Sequence, residues 1–479
     1  MKDMKRNIFM VAAVALLVMV SCNKEENNVD GSQVTPPSYY IDFTVSISNE
    51  DAYHLQQAPS TRTTLSEGKT QWLEDDLIAI NGKKFKVVEF LDNGQARISN
   101  IEELGTDFKE PYTAVYPYNE TLNTTVVPNE QTLTAGTFAD ETVVAVAYSE
   151  SEKSLSFKHV STYLRFTVAT EGLTELEFTS AGNIAGTITV DAKDGGEPTY
   201  EVTSGEKTIT AKSANGPFVV GESYYISVLP TLGAADVKQK LEIKSEGVTI
   251  KSGNVRFKRN VPAKVENLKV DYVYLKPNVY WKTDNSRFAT YFFKSETEYV
   301  WTNAVDEDSD GIYRTVIPEG YTNLIFCRMS PSSTNNDWPA WNQTEDLVTT
   351  NNISKCYVMH ADEWTIGGWF NTNDAKRILY LFPTNTWDKD NARFAAYFFG
   401  KDPTKWENMT KYSTYKYYVV PPSGYTNVIF CRMNGSESIN DWPNKWNQTK
   451  DLTIPNDGKN TCTISNHWAE TATGSWSKK

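Results

Sequence analysis

The chain has 479 residues, of which 13% are aromatic and 22% charged, with a formal net charge of -13 and a pI near 5.0. At roughly 100 to 200 residues per domain this length makes three to five domains. The acidic mean field argues against nucleic acid, anionic lipid headgroups or polyanionic glycans as the main ligand and leaves a neutral one. An aromatic-rich, charge-poor composition suits β-structure, and no stretch carries a sustained helical repeat.

Lys2, Lys5 and Arg6 precede an apolar stretch, Ile8 to Val20, too short to span a bilayer comfortably, which is the form of a targeting segment. It ends in Met19-Val20-Ser21-Cys22, which resembles the bacterial lipoprotein box. The resemblance implies a signal peptide at 1–21 and a lipidated Cys22. The following Asn23-Lys24-Glu25-Glu26-Asn27 is similar to the acidic export signal of Bacteroidetes surface lipoproteins, implying a lipid anchor in the outer membrane and exposure at the cell surface. An acidic run of this kind also suits a solvated linker. Residues 22–37 are polar and Pro-containing, a flexible tether.

From residue 38 to 272 short runs alternate apolar and polar positions between Gly, Asn and Asp clusters, among them YYIDFTVSI, KFKVVEF, YTAVYPY and YYISVLP. This pattern predicts an all-β fold of two consecutive β-sandwiches, 38–168 and 169–272, with the break after Leu164-Arg165-Phe166-Thr167-Val168. Thr61-Arg62-Thr63, Trp72, Asp75-Asp76-Leu77-Ile78, Tyr112 to Pro117 and Phe157-Lys158-His159-Val160 follow in the order seen in the fimbrillin-like lipoproteins of Bacteroidetes, which this half resembles. The family usually has Gly-Asp where this chain has Asp75-Asp76. It implies two transthyretin-like sandwiches. Its members include pilus subunits, tip and anchor proteins and proteins that never polymerise, so fold alone does not assign a function.

Residues 273–372 and 378–479 are an internal duplication. Each copy carries a Trp (281, 387), an aromatic strand (RFATYFF, RFAAYFF), a Pro-x-Gly-Tyr-Thr-Asn turn, a strand (LIFCRM, VIFCRM) and a tryptophan-rich loop closed by Trp-Asn-Gln-Thr. Two further β-sandwiches are expected, making four.

In RFAAYFF the pleat puts Phe394, Ala396 and Phe398 on the core face and Arg393 with Tyr397 on the other, as it does Tyr291 beside Arg287. Trp301 and Trp406 stand among polar residues. A neutral sugar needs an aromatic surface for its C–H face and amides or carboxylates for its hydroxyls. The set resembles the family 26 starch-binding carbohydrate-binding modules, which carry Tyr and Trp early and a late Gln-Thr-x-Asp-Leu. The resemblance implies Tyr291, Trp301 and Gln343 as one site and Tyr397, Trp406 and Gln448 as the second. Trp341 and Trp446, beside the glutamines, are added as candidates. Trp338 and Trp442, in the Asp-Trp-Pro loop, suit equally a lid that packs on itself. Trp281, Trp387, Trp364 and Trp468 read as core or strand-end residues. Arg328 and Arg432 read as structural partners of Asp346 and Asp451.

Four cysteines remain beside Cys22. Their similar spacing within the copies and the exported context predict two disulfides, Cys327–Cys356 and Cys431–Cys462, with four buried thiols as the alternative. Catalysis finds little support. Four histidines lack metal-ligand spacing, and no Gly-x-Ser-x-Gly or phosphate loop occurs. Asp306-Glu307-Asp308-Ser309-Asp310-Gly311 reads as a solvated turn rather than a calcium loop, so no metal or cofactor is expected. The expected function is non-enzymatic binding of starch or a related α-glucan by a surface lipoprotein. Other glycan-uptake or fimbrial proteins are its possible companions, and a fimbrial tip or anchor adhesin is the alternative reading.

Overall fold

The computed structural model describes residues 40–47, 65–66, 69–70, 72–139, 142–192, 196–231, 237–259, 261–465 and 471–479. The signal peptide, Cys22, the tether, Thr61-Arg62-Thr63 and Trp468 lie outside them. About half of the described chain is strand, and its one α-helix is the single turn Thr372–Ala375 between the two repeats.

The first unit is a closed barrel of seven strands. Asp42–Ile47 closes it by pairing antiparallel with Ala96–Asn100 and parallel with Ser154–His159. Alternation in the sequence does not distinguish a closed sheet from an open sandwich, since both bury every second residue. Phe43, Phe85, Trp72 and Phe157 fill the interior, with Trp72 edge-on to Phe157 at 5.1 Å.

The strand expected to end this unit, Thr162–Val168, pairs instead with Ser223–Val228 and Ala263–Leu268 of the second unit. Two strands from inside the first segment cross over as well. Thr124–Val127 joins Ala185–Asp191, and Glu130–Leu133 adds in parallel to Thr208–Ser213. Val127 and Leu133 accordingly belong to the second core, with Phe166 and Phe178. The two units interleave, and their sheets divide before Thr162.

The first repeat is a two-sheet sandwich, whereas in the second the two faces are joined into one ten-stranded sheet by the parallel pairing of Lys445–Thr449 with Thr471–Ser477. In the first, Tyr313–Val316, Tyr272–Lys276, Lys355–Met359 and Gly367–Asn371 form one sheet, and Tyr299–Ala304, Arg287–Phe293, Asn323–Met329 and Asn342–Gln343 the other. Phe288 and Phe292 point between them onto Trp281, Phe326 and Tyr357, while Tyr291 and Phe293 face out. Trp281 and Trp387 are fully buried as anticipated, but Trp364 is 44% exposed and stacks on Tyr280 at 5.4 Å.

The expected disulfides do not form: Cys327, Cys356, Cys431 and Cys462 are free and buried. In the first repeat the two cysteines face away from each other. Cys327 lies with Ala289, Ile325 and Met329 on the outer face of one sheet, and Cys356 lies with Ile378 and Tyr380 outside the other. In the second repeat Cys431 faces outward but Cys462 faces the core. The reason is register. Cys356 is the partner of Tyr274, whereas Cys462 is the partner of Leu381, whose counterpart Leu275 meets Tyr357. A shift of one residue turns a side chain to the other face of a sheet, so Cys356 and Cys462 are not equivalent positions. Burial pushes all four thiols up to about 12.

The repeats pack against one another through Ile312, Val358 and Ala361 of the first and Ile378, Tyr380, Tyr412 and Tyr418 of the second. His360 sits inside this contact, stacked on Tyr412 at 4.3 Å and on Tyr418 at 5.1 Å. Lys416 crosses it to Glu363 at 2.8 Å.

Candidate aromatic binding sites

Register assembles the outer face of each repeat. Tyr291 is the direct neighbour of Trp301 on one side and Ile325 on the other, and Ala289 lies in the row of Asn303 and Cys327, which in turn meets Gln343. Directly paired residues share a face, so Tyr291, Trp301 and Gln343 stand on one surface. The second repeat reproduces the rows with Tyr397, Trp406, Cys431 and Gln448. Small or slim side chains at Ala289, Ile325 and Cys327 form the floor, which leaves the large rings raised above it.

The Asp-Trp-Pro loop supplies a third ring that sequence reading left undecided. Trp338 stands 5.3 Å from Tyr291 and 5.1 Å from Trp301, which are themselves 4.9 Å apart. In the second copy the distances are 4.8 Å for Tyr397 to Trp442, 5.0 Å for Trp406 to Trp442 and 4.9 Å for Tyr397 to Trp406. The ring planes meet at 53° to 67° in both. Aromatic clusters prefer such tilted contacts, and they leave angled faces rather than one flat platform. Trp338 and Trp442 keep 44% and 42% of their surface exposed, so the clusters open to solvent. Burial among the rings raises the Tyr291 phenol above its ordinary value, offset in part by a hydrogen bond from Trp338.

The loop is held down by the strand arginine. Arg287 donates through Nε to the Ser333 carbonyl at 2.6 Å and through its other nitrogens to Asn335 and Asn336. Arg393 does the same to Glu437, Ile439 and Asn440. Guanidinium donors matched to several acceptors at once fix geometry more tightly than a single bond. A repeated arginine followed by an asparagine-bearing loop is the sequence signal that would have revealed the clamp.

The remaining candidates divide. Gln343 is exposed at the edge of the face, and Gln448 accepts from Lys445 Nζ at 2.6 Å. Trp341 and Trp446 lie outside the ring clusters, each under a guanidinium: Arg328 at 4.8 Å and Arg432 at 4.6 Å. These arginines do not pair with Asp346 and Asp451. Arg328 donates to the Trp281 carbonyl at 2.9 Å and to Asp284 at 2.7 Å, and Arg432 to the Trp387 carbonyl and Asp390, both at 2.7 Å. Their side chains leave the strand on the face opposite Cys327 and Cys431, beside the buried tryptophan, where the loop after it supplies the carboxylate. That pairing holds the Asp284 carboxyl below its usual range.

Asp306, Asp308 and Asp310 bring three carboxylates within 4.8 Å. Asp306 already accepts from the backbone N–H of Asp310 and Gly311 at 3.1 and 3.0 Å, and Asp310 pairs with Lys376 at 2.5 Å. Their contacts close the loop and fasten it to the next segment.

No family model matches the chain, and no curated protein matches it. Among solved structures it is similar to α-glucan-recognising family 41 carbohydrate-binding modules from streptococcal virulence factors: 15% identity, 41% of this chain, 93% of that chain and a TM-score of 0.12. A streptococcal ancillary pilin shares 10% identity over 69% of this chain and 98% of its own, with a TM-score of 0.14. A multi-modular glycogen-degrading pneumococcal virulence factor shares 11% over 58% of this chain and 37% of its own, also at 0.14. Scores this low carry no weight for the site.

Proposed function

We propose that the chain is a non-catalytic lipoprotein of the outer membrane, exposed at the cell surface, that captures a neutral α-glucan, starch or its fragments, through its two aromatic sites. The observation that supports this most is the cluster of Tyr291, Trp301 and Trp338 and its copy in Tyr397, Trp406 and Trp442, with the same spacing within about half an ångström. One exposed and two half-buried rings are costly to keep in contact with solvent, and they are kept twice. Rings that meet at 53° to 67° fit the curved face of an α-linked chain better than the flat ribbon of a β-linked one. Hydroxyls would be met by Gln343 and Asn303, and by Gln448 and Asn408. The net charge of -13 suits an uncharged ligand.

Duplication has a physical use here. A shallow sugar site is weak, and two linked sites gain roughly 10² to 10⁴ in apparent affinity for a polymer through effective concentration. Calorimetry of the purified chain with maltoheptaose, amylopectin and cellohexaose tests the reading. Maltoheptaose and amylopectin should bind, cellohexaose should not, and Trp301→Ala with Trp406→Ala should abolish binding. Silence with both α-glucans, or binding untouched by the double change, refutes it.

A further inference from the structure

The two aromatic sites are alike within their own repeats but differ in what stands beside them. Next to Trp301 a cleft of about 400 Å³ runs to the second unit, bordered by Asn303, Asn336 and Glu307 on one side and by Glu246 and Gly247 on the other. That volume lies in the range of roughly 300 to 1,000 Å³ of small-ligand sites. Glu246 and Gly247 are the turn between Gln239–Ser245 and Val248–Val255, with φ of 52° and 74°, a tight hairpin of the kind that needs two left-handed residues.

The wall is fastened in place. Arg314 pairs with both Glu246 and Glu307 and lies over the Tyr272 ring at 4.4 Å. The Glu319 backbone N–H donates to the Thr249 carbonyl at 2.9 Å, and Ser252 donates to the Glu319 carboxylate at 2.7 Å. On the opposite side Asn336 donates to Asn303 at 2.9 Å, which leaves Asn303 Nδ2 without a protein acceptor among the described residues. The cleft thus joins an indole to carboxylate and amide groups, the set that meets a pyranose and its hydroxyls. The second repeat keeps the amide pair, Asn440 to Asn408 at 3.0 Å, but the Glu246-Gly247 hairpin stands beside Trp301 of the first.

We infer that the hairpin of the second unit completes an extra sugar subsite beside Trp301, so that the first site takes a longer stretch of glucan than the second. This rests on the glucan reading of the ring clusters. The first site is then the one that selects chain length, and the second holds any short segment of the polymer.

Full-length Trp406→Ala and Trp301→Ala chains isolate the first and second sites for calorimetry with maltotriose through maltoheptaose. The first site should keep gaining affinity at lengths where the second has levelled off, ending about three- to tenfold tighter, the worth of one or two added hydrogen bonds. Gly247→Asn tests the wall. Asparagine tolerates the left-handed backbone, and a Cβ at Gly247 meets nothing within 4 Å, so the new side chain occupies the cleft without displacing protein. In the Trp406→Ala chain it should bring the long-chain affinity down to that of the second site. In the Trp301→Ala chain it should change nothing, which also shows that the protein still folds. Identical length dependence at the two sites, or indifference of the first site to Gly247→Asn, overturns the inference while leaving the glucan reading intact. Absence of binding by the unaltered chain refutes both.

Discussion

Asn336 donates through Nδ2 to the Oδ1 of Asn303 at 2.9 Å, tying the Asp-Trp-Pro loop to the strand that carries Trp301. The same loop asparagine accepts from Arg287, so arginine, loop and strand form one chain of bonds, repeated in Arg393, Asn440 and Asn408.

Releasing that clamp should loosen the third ring without opening the core, because Arg287 and Arg393 lie on the outer face. Arg287→Ala with Arg393→Ala is expected to weaken maltoheptaose binding about tenfold, the worth of one aromatic contact. Stability should fall by no more than about 1 to 2 kcal/mol, since the freed carbonyls sit near water. Calorimetry and thermal melts together check this; unchanged affinity would show that the clamp does not serve binding.

The tryptophans of the loop should separate by role. Trp338→Ala with Trp442→Ala removes a wall of each cluster and should cost about tenfold or more in affinity. Trp341→Ala with Trp446→Ala removes the cover from Arg328 and Arg432, and should cost about 1 kcal/mol of stability per repeat with less than about a threefold change in affinity. The reverse ranking would move the site to the Arg328 side of the loop.

The four buried thiols should be inert in the folded chain. Pushed up to about 12 by burial, each is almost wholly protonated at pH 8, and the thiolate is the reactive form. Iodoacetamide should leave Cys327, Cys356, Cys431 and Cys462 unlabelled until denaturant is added, then label all four without any reductant. Reductant should leave the melting temperature where it is, against the ~2 to 4 kcal/mol that a lost disulfide removes.

His360 makes the contact between the repeats sensitive to acid. Burial lowers it to about 4, opposed in part by Glu363, and it is enclosed by Tyr380, Tyr412 and Tyr418 with Lys416 and Asp362 nearby. The unfolded chain takes up this proton near pH 6.5 and the folded chain only near pH 4, so stability falls as pH drops through that window and is unaffected above it. The full contribution is about 3 kcal/mol. Melts of the unaltered chain and of His360→Phe between pH 7.5 and 4 should converge differently: the difference between them should shrink or reverse towards acid. A constant difference would show that His360 is not the titrating group.

Much of the fold and part of the candidate site's geometry were legible without coordinates. Alternation of apolar residues announced an all-β chain, the duplication announced two matching modules, and the pleat of RFATYFF placed Tyr291 and Arg287 on the open face. Those are properties of neighbouring residues, which share one strand and one pleat. Trp301 joins them because it sits in the adjacent strand at Tyr291's own register.

What sequence alone left open, or misjudged, depended on contacts between residues far apart. Alternation has the same period in a barrel as in a sandwich, so closure of the first sheet through Asp42–Ile47 had to come from pairing. A turn-free run such as Phe157 to Val168 does not show which sheet each strand will join. Cys356 and Cys462 looked equivalent by spacing, yet a one-residue difference in register turns one outward and the other inward. Trp338 and Trp442 were undecided because a loop has no period of its own. Their place against Tyr291 and Tyr397 was decided by arginines over 40 residues away along the chain, reaching across the sheet to hold the loop.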